Sequence, residues 1–234
     1  MENKTCYILS AGGGENAVFF GAGDLYAEHV DIRPGSLVIA ADGGLYYTKK
    51  LGIEPDVFLG DFDSADRKDA GSNCVVFPSR KDYTDMFLAV EYGVERGYNN
   101  FELYGALGGK RIDHTLANLQ MLSFYAKKGC LLRLHGNATV IAAYTNDPSV
   151  TGKSIVTITF GKECKGYLSL FAVGGEVSGV TLTGLKYPTK NVVLTSDFPL
   201  GVSNEFTGAP ASISFSKGTL LVVYPESAAV RKEE

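Results

Sequence analysis

Up to about residue 135, short apolar runs alternate with helical patterns, and beyond about residue 150 the period drops to two. Cys6–Ala11, Leu37–Ala41, Val57–Leu59, Cys74–Phe77 and Phe101–Tyr104 read as short strands. Most end in turn residues: Gly12-Gly13-Gly14, Asp42-Gly43-Gly44, Gly60-Asp61-Phe62-Asp63 and Gly105-Ala106-Leu107-Gly108-Gly109, while Pro78 closes the fourth. Thr84 caps a helix whose apolar face includes Met86, Phe87, Val90 and Val94, with Gly97 as its stop. A second helix runs from His114 to Lys128 and turns Leu116, Leu119 and Leu122 inward. Strands alternating with helices predict an α/β fold, a mostly parallel sheet with helices on both faces.

The later pattern is different. Val156, Ile158 and Phe160 alternate with Thr157 and Thr159, and Leu168 and Leu170 flank Ser169. Ile213 and Phe215 alternate with Ser212, Ser214 and Ser216, then Lys217-Gly218 turns into Leu220–Tyr224. Such runs, separated by Gly, Pro and Asn, predict an antiparallel β-sandwich or flattened barrel. Leu131–Leu134 and Val140–Ala143, joined across Gly136-Asn137, bridge the parts. The expected division is an α/β domain over residues 1–135 and a β domain over 136–234. No repeat or low-complexity tract interrupts either, and the tail after Pro225 reads as frayed.

Composition narrows the function classes. Of 234 residues, 45% are hydrophobic and 21% charged, which suits a packed globular chain and not a disordered one. The net charge is −4 and no stretch is densely basic, so nucleic acid is not the expected partner. The apolar run Tyr7–Leu9 is too short for a signal-peptide core or a membrane span, which leaves a cytoplasmic protein without membrane contact as the expectation. Cys6, Cys74, Cys130 and Cys164 form no C-x-x-C pair and read as reduced thiols.

Candidate chemistry gathers at the strand ends, where open α/β sheets bind ligands. Glycine there lets backbone N–H groups approach phosphate oxygens unobstructed. Asp61 and Asp63 stand two apart, Asp82 and Asp85 flank Thr84, and Asp42 and Asp113 follow other strands. Any one of these aspartates suits a turn or cap. Together they repel and desolvate poorly, so the set calls for a divalent cation, and oxygen ligands without His or Cys favour magnesium. Arg80, Lys81, Lys110 and Arg111 supply the positive charge that a polyphosphate needs. His114 and Asn118 stand four apart on the next helix, toward its N-terminal end. Gly152-Lys153-Ser154 imitates a P-loop, but position 147, where the first glycine belongs, is Asp.

In sequence order, Ala40-Ala41-Asp42-Gly43-Gly44, Gly60-Asp61-Phe62-Asp63-Ser64, Lys81-Asp82-Tyr83-Thr84-Asp85, Gly108-Gly109-Lys110-Arg111-Ile112-Asp113-His114 and Gly201-Val202-Ser203-Asn204-Glu205 resemble the thiamine pyrophosphokinase family over essentially the whole chain. The resemblance implies an enzyme that transfers the pyrophosphoryl group of ATP to the hydroxyl of thiamine, with magnesium, giving thiamine diphosphate and AMP. It implies Asp61, Asp63 and Asp85 as metal-linked carboxylates, and Asp42, Lys81, Thr84 and Arg111 on the nucleotide phosphates. Gly108, Gly109, His114 and Asn118 complete the expected nucleotide set, and Asp113 faces the thiamine hydroxyl. Either Asp113 or Asp85 would accept its proton. The resemblance further implies a homodimer with the site at the subunit interface, where Ser203, Asn204 and Ser216 reach thiamine from the partner. Two alternatives stay open: the same nucleotide site with another acceptor such as a pterin, or a non-catalytic nucleotide or thiamine-diphosphate sensor.

Overall fold

Near-continuous apolar runs make strands buried on both faces, and that is where the first part of the chain gets its sheet. A computed structural model describes residues 37–41, 43–60, 74–76, 82–147 and 151–228, together with the strand at 17–20 and positions 25, 30 and 32. The chain divides into two compact units, Met1–Met121 with Cys130–Asn137, and Leu122–Gly129 with Ala138–Glu234.

In the first unit, β1 (Ala17–Phe20), β2 (Leu37–Ala41), β3 (Val57–Gly60), β4 (Cys74–Val76), β5 (Asn100–Tyr104) and β6 (Leu131–His135) pair in parallel in two groups, β2-β3-β4 and β1-β5-β6. β2 meets β3 with Ile39 opposite Val57, and β3 meets β4 with Phe58 opposite Cys74. β5 takes β1 on one side, Phe101 opposite Ala17, and β6 on the other, Leu132 opposite Phe101. Ile39, Ala40, Leu59, Phe101 and Leu103 are fully buried. β1 was not anticipated, because its four residues carry no alternation; the expected strand Cys6–Ala11 and its Gly12-Gly13-Gly14 turn lie outside the described residues.

Three helices are described, α1 (Gly44–Leu51), α2 (Asp85–Val94) and α3 (Ile112–Ala126). α1, too short to show a clear period, buries Gly44, Leu45 and Thr48. Thr84 caps α2 as expected, its Oγ1 accepting the Phe87 N–H at 3.2 Å. On α3 the inward face is shifted from the expected one: Leu116 is 57% exposed, while Asn118, Met121, Leu122 and Tyr125 are buried. These four follow the i, i+3, i+4, i+7 rule, with a polar residue taken into the stripe. None of the helices among the described residues is long and apolar enough to cross a membrane.

The second unit is antiparallel. β7 (Thr139–Asn146), β14 (Gly218–Pro225), β9 (Tyr167–Ala172) and β12 (Asn204–Glu205) follow one another in one sheet. β11 (Thr189–Leu194), β10 (Val177–Thr183), β13 (Ala211–Phe215) and β8 (Val156–Phe160) make the other. Period-two burial holds: Ile158, Phe160, Leu168, Leu170, Ile213 and Phe215 all point inward. The sheets meet where Phe160 packs edge-on against Tyr224, ring centres 5.7 Å apart. They remain two separate sheets, so the closed-barrel alternative is not adopted. Asn146, 2% exposed, ties them by donating to the Ser216 carbonyl at 2.9 Å.

Candidate active site

Asp42, Asp61, Asp63 and Lys81 lie outside the described residues. β2 and β3, running parallel, end side by side just before Asp42 and Asp61 in the sequence. Asp85 stands in the first turn of α2, a favourable end of a helix for a carboxylate. The cap bond uses an acceptor lone pair of Thr84 and leaves its hydroxyl hydrogen to donate elsewhere. Tyr83 beside it is 56% exposed, with its ring stacked on Phe87. Among the described residues, no three His, Cys, Asp or Glu side chains gather as a metal site.

The turn between β5 and α3 is the best-defined part of the candidate site. Gly105, Gly108 and Gly109 have φ of +60°, +70° and +76°, a region that strains any residue with a Cβ. Two side chains of α3 reach back to this turn. Asn118 Nδ2 donates to the Ala106 carbonyl at 2.7 Å in a buried setting, and Thr115 Oγ1 makes a longer, 3.5 Å bond to the Gly108 carbonyl. Arg111 leaves the turn and folds onto Asp113, its Nε 2.9 Å from Oδ1 and its Nη2 2.5 Å from Oδ2. Hydrogen bonding from this fork, helped by its charge, lowers the Asp113 carboxyl to about 2. Both side chains are more than half exposed, so the pair contributes little to stability. His114 is also exposed, whereas Asn118 four residues on is 6% exposed, so the two meet different surroundings.

Beneath this turn, β5 and β6 carry charge that the sequence did not advertise. Glu102, two residues before the end of β5, accepts from Arg133 Nη1 at 2.7 Å and lies 2.8 Å from His135 Nε2. Arg133 Nη1 also donates to Asn100 Oδ1, and His135 stacks on Tyr104 with ring centres 4.0 Å apart. Burial pushes the Glu102 carboxyl up, but the charge of Arg133 and the bond to His135 outweigh it and hold the group low. Period-two spacing of Asn100, Glu102 and Tyr104 against Arg133 and His135 is the signal that could have found this cluster.

In the second unit, Ser203 and Asn204 sit where β12 lies against β9. A Cβ on Gly201 would come within 2.5 Å of the Leu170 carbonyl, so only glycine lets this segment approach so closely. Ser203 carries φ +60°, a strained conformation for a residue with a side chain, and its N–H donates to Ser169 Oγ at 3.0 Å. Asn204 is buried and committed to the backbone of Tyr187, accepting its N–H at 3.0 Å and donating to its carbonyl at 2.9 Å. Behind it lies an apolar cavity of about 320 Å³, walled by Leu170, Val180, Leu182, Val192 and Leu194 and bordered by Tyr187, Thr189 and Asn204. Thr189 Oγ1 is buried without a hydrogen-bond partner. Ser216 stands apart, at the β13–β14 turn, its hydroxyl donating to the Ser178 carbonyl at 3.1 Å.

An α/β unit with glycine turns beside an Arg–Asp fork, followed in sequence by a β unit with an apolar cavity, has the plan of a two-part small-molecule kinase. Residues 32–134 match the family model "Thiamin pyrophosphokinase, catalytic domain", and residues 155–220 match "Thiamin pyrophosphokinase, vitamin B1 binding domain". The chain is 30% identical over 194 residues to a thiamine pyrophosphokinase of Bacillus subtilis (strain 168), covering 80% of this chain and 86% of that one. The crystal structure of the Bacillus subtilis thiamine pyrophosphokinase superposes with a TM-score of 0.70 at 29% identity, over 81% of this chain and 87% of that one. That of the Geobacillus thermodenitrificans thiamin pyrophosphokinase gives 0.66 at 28% identity, over 82% and 87%. The chain belongs to the thiamine pyrophosphokinase family.

Proposed function

We propose that this chain transfers the pyrophosphoryl group of ATP to the hydroxyl of thiamine, forming thiamine diphosphate and AMP. The observation that carries the reading is that both family parts, catalytic and vitamin-binding, match in order along one chain. In this reading residues 1–135 form the catalytic domain, a mostly parallel sheet with helices on both faces. Residues 136–234 form the thiamine-binding β-sandwich. The enzyme works in the cytoplasm.

Hard carboxylates suit magnesium, so Asp61, Asp63 and Asp85 would hold Mg2+, which supplies charge neutralisation on the polyphosphate. Asp42, Lys81, Thr84, Gly108, Gly109, Arg111 and His114 bind the nucleotide, Thr84 through its hydroxyl hydrogen and Arg111 through its planar fork, and Asn118 serves the same set through the turn it holds. Positioning and charge, not covalent chemistry by the protein, do most of the work in such a transfer. The thiamine oxygen attacks the β-phosphorus in line, and AMP leaves. Asp113 faces that hydroxyl. Paired with Arg111 before substrates bind, its carboxyl lies at about 2, so it meets that hydroxyl ionised and able to orient the O–H. Either Asp113 or Asp85 accepts the proton late in the reaction.

Ser203, Asn204 and Ser216 contact thiamine from the partner of a homodimer. Exposed Tyr187 and Leu200, which border the same apolar cavity, support this, since large apolar groups gathered on a surface mark an interface. Incubating the folded, magnesium-loaded protein with ATP and thiamine tests the activity. Appearance of AMP and thiamine diphosphate together supports it, and absence of both refutes it. Product formed with a pterin and not with thiamine would move the assignment to the other acceptor, and nucleotide binding without turnover would make the protein a sensor.

A further inference from the structure

We propose that Asn118 and Thr115 are positioning residues that preshape the β5–α3 turn for polyphosphate, and that Asn118 acts on the nucleotide only through that turn. The inference rests on the nucleotide reading above and sharpens it. Geometry leads to it in three steps. The turn contains three glycines at positive φ, so its backbone has few internal restraints. Its Ala106 is 3% exposed, which leaves the Ala106 carbonyl dependent on a protein donor. Asn118 is that donor, at 2.7 Å, and is itself 6% exposed.

Thr115 stands three residues earlier, on the same side of α3, and reaches Gly108 two residues further along the turn. One helix face therefore holds both ends of the segment Ala106–Gly108, and Gly109 to Arg111 continue directly from it. A group hydrogen-bonded inward and buried in this way is poorly placed to meet a ligand itself. Losing the Asn118 amide would leave the Ala106 carbonyl unmet, and the turn would have to move to satisfy it. Motion of Gly108, Gly109 and Arg111 would be felt by the phosphates, not by the nucleoside.

Calorimetric titration of the full-length protein with ADP, AMP and thiamine, in the presence of magnesium, separates the roles. Asn118→Ala should bind ADP at least tenfold more weakly, with AMP and thiamine binding changed less than twofold. Asn118→Asp, which sets a carboxylate against the Ala106 carbonyl, should be weaker for ADP than Asn118→Ala. Thr115→Val, at a half-exposed position that tolerates change, should weaken ADP about threefold and keeps the test alive if the Asn118 variants do not fold. A purely structural role would lower the melting temperature and all three affinities together. Equal losses for AMP and ADP would mean that Asn118 acts on the part they share, the nucleoside and its α-phosphate, and not on the polyphosphate beyond it, and unchanged ADP binding in Asn118→Ala or Thr115→Val would mean that the turn needs no clamp. Either result overturns the proposal alone. Failure of the unsubstituted protein to bind ADP would sink the nucleotide reading and the clamp with it.

Discussion

Replacing Arg133 by Met tests what holds β5 and β6 in register beneath the candidate site. The Arg133 and Glu102 side chains are 15% and 10% exposed and 2.7 Å apart. Removing one member of a buried pair leaves the other charge uncompensated, which costs about 3–5 kcal/mol. Glu102 keeps His135 as a partner, so the lower end, about 3 kcal/mol, is the expectation. For a chain of this length that corresponds to a melting temperature about 6–12 °C lower. Acidity gives a second readout. The Glu102 carboxyl is held low in the folded protein, so its contribution is present above the ordinary carboxyl range and fades as pH falls through the folded value. Without Arg133, burial is opposed only by His135, so the folded Glu102 value moves up and the stability lost on acidification should shrink while the protein is weaker at neutral pH. Urea unfolding followed by circular dichroism at neutral and mildly acidic pH measures both effects. Glu102→Leu with Arg133→Met removes both charges and should recover most of the loss. If Arg133→Met unfolds within about 1 kcal/mol of the parent, the scale of a surface pair, the network is not a structural element.

Three further substitutions address the chemistry. Asp63→Asn should cut turnover by orders of magnitude at saturating magnesium while leaving the melting temperature unchanged or slightly raised, because clustered carboxylates repel; near-normal turnover would remove Asp63 from the metal set. Asp113→Asn should lower turnover about a hundredfold. Because the Asp113 carboxyl lies at about 2, the pH–rate profile between pH 5 and 8 should keep its shape in that variant, and loss of a limb would show that Asp113 titrates in the working range. Ser203→Gly removes a hydroxyl and relaxes a φ of +60°. Strain relief and added freedom in the unfolded chain nearly cancel, so stability should change by less than about 1 kcal/mol. The thiamine concentration giving half-maximal rate should rise more than that for ATP, and equal changes in both would detach the Ser203 segment from thiamine.

Much of the fold was legible because burial imposes simple periods. Val156, Ile158 and Phe160, or Ile213 and Phe215, announce a one-sided strand by alternation alone. Leu37–Ala41 announces a two-sided one by having no polar member. Thr84 was legible as a cap since a hydroxyl before an apolar period has one economical use. The misses have equally local causes. α1 and β1 are too short for a period to accumulate, and β10 with β11 is blurred by register shifts between Val177 and Leu182. On α3 hydrophobicity alone predicts Leu122 correctly but Leu116 wrongly, because a polar residue also turns inward. Asn118 is buried by a hydrogen bond, which rotates the buried stripe away from Leu116.

That rotation is the point at which fold and candidate chemistry meet. A helix that buried Leu116 would present a different edge to the β5–α3 turn and could not bring an amide to the Ala106 carbonyl. Leu116, 57% exposed, and Ile112, 69% exposed, are what the arrangement costs in uncovered apolar surface. Glu102 and Arg133 make the same exchange one layer deeper, where an apolar pair would serve stability at least as well. Polar groups in both places fix one register and one turn shape among several that hydrophobic packing alone would permit. Arg111 and Asp113, which follow that turn, then need only a weak, exposed ion pair to be found near one another. A weak pair is also the easier one for an incoming polyphosphate to open. The hydrogen-bonded polar groups lie below the surface and the exposed ion pair upon it, the division that the proposed transfer, driven by positioning, would use.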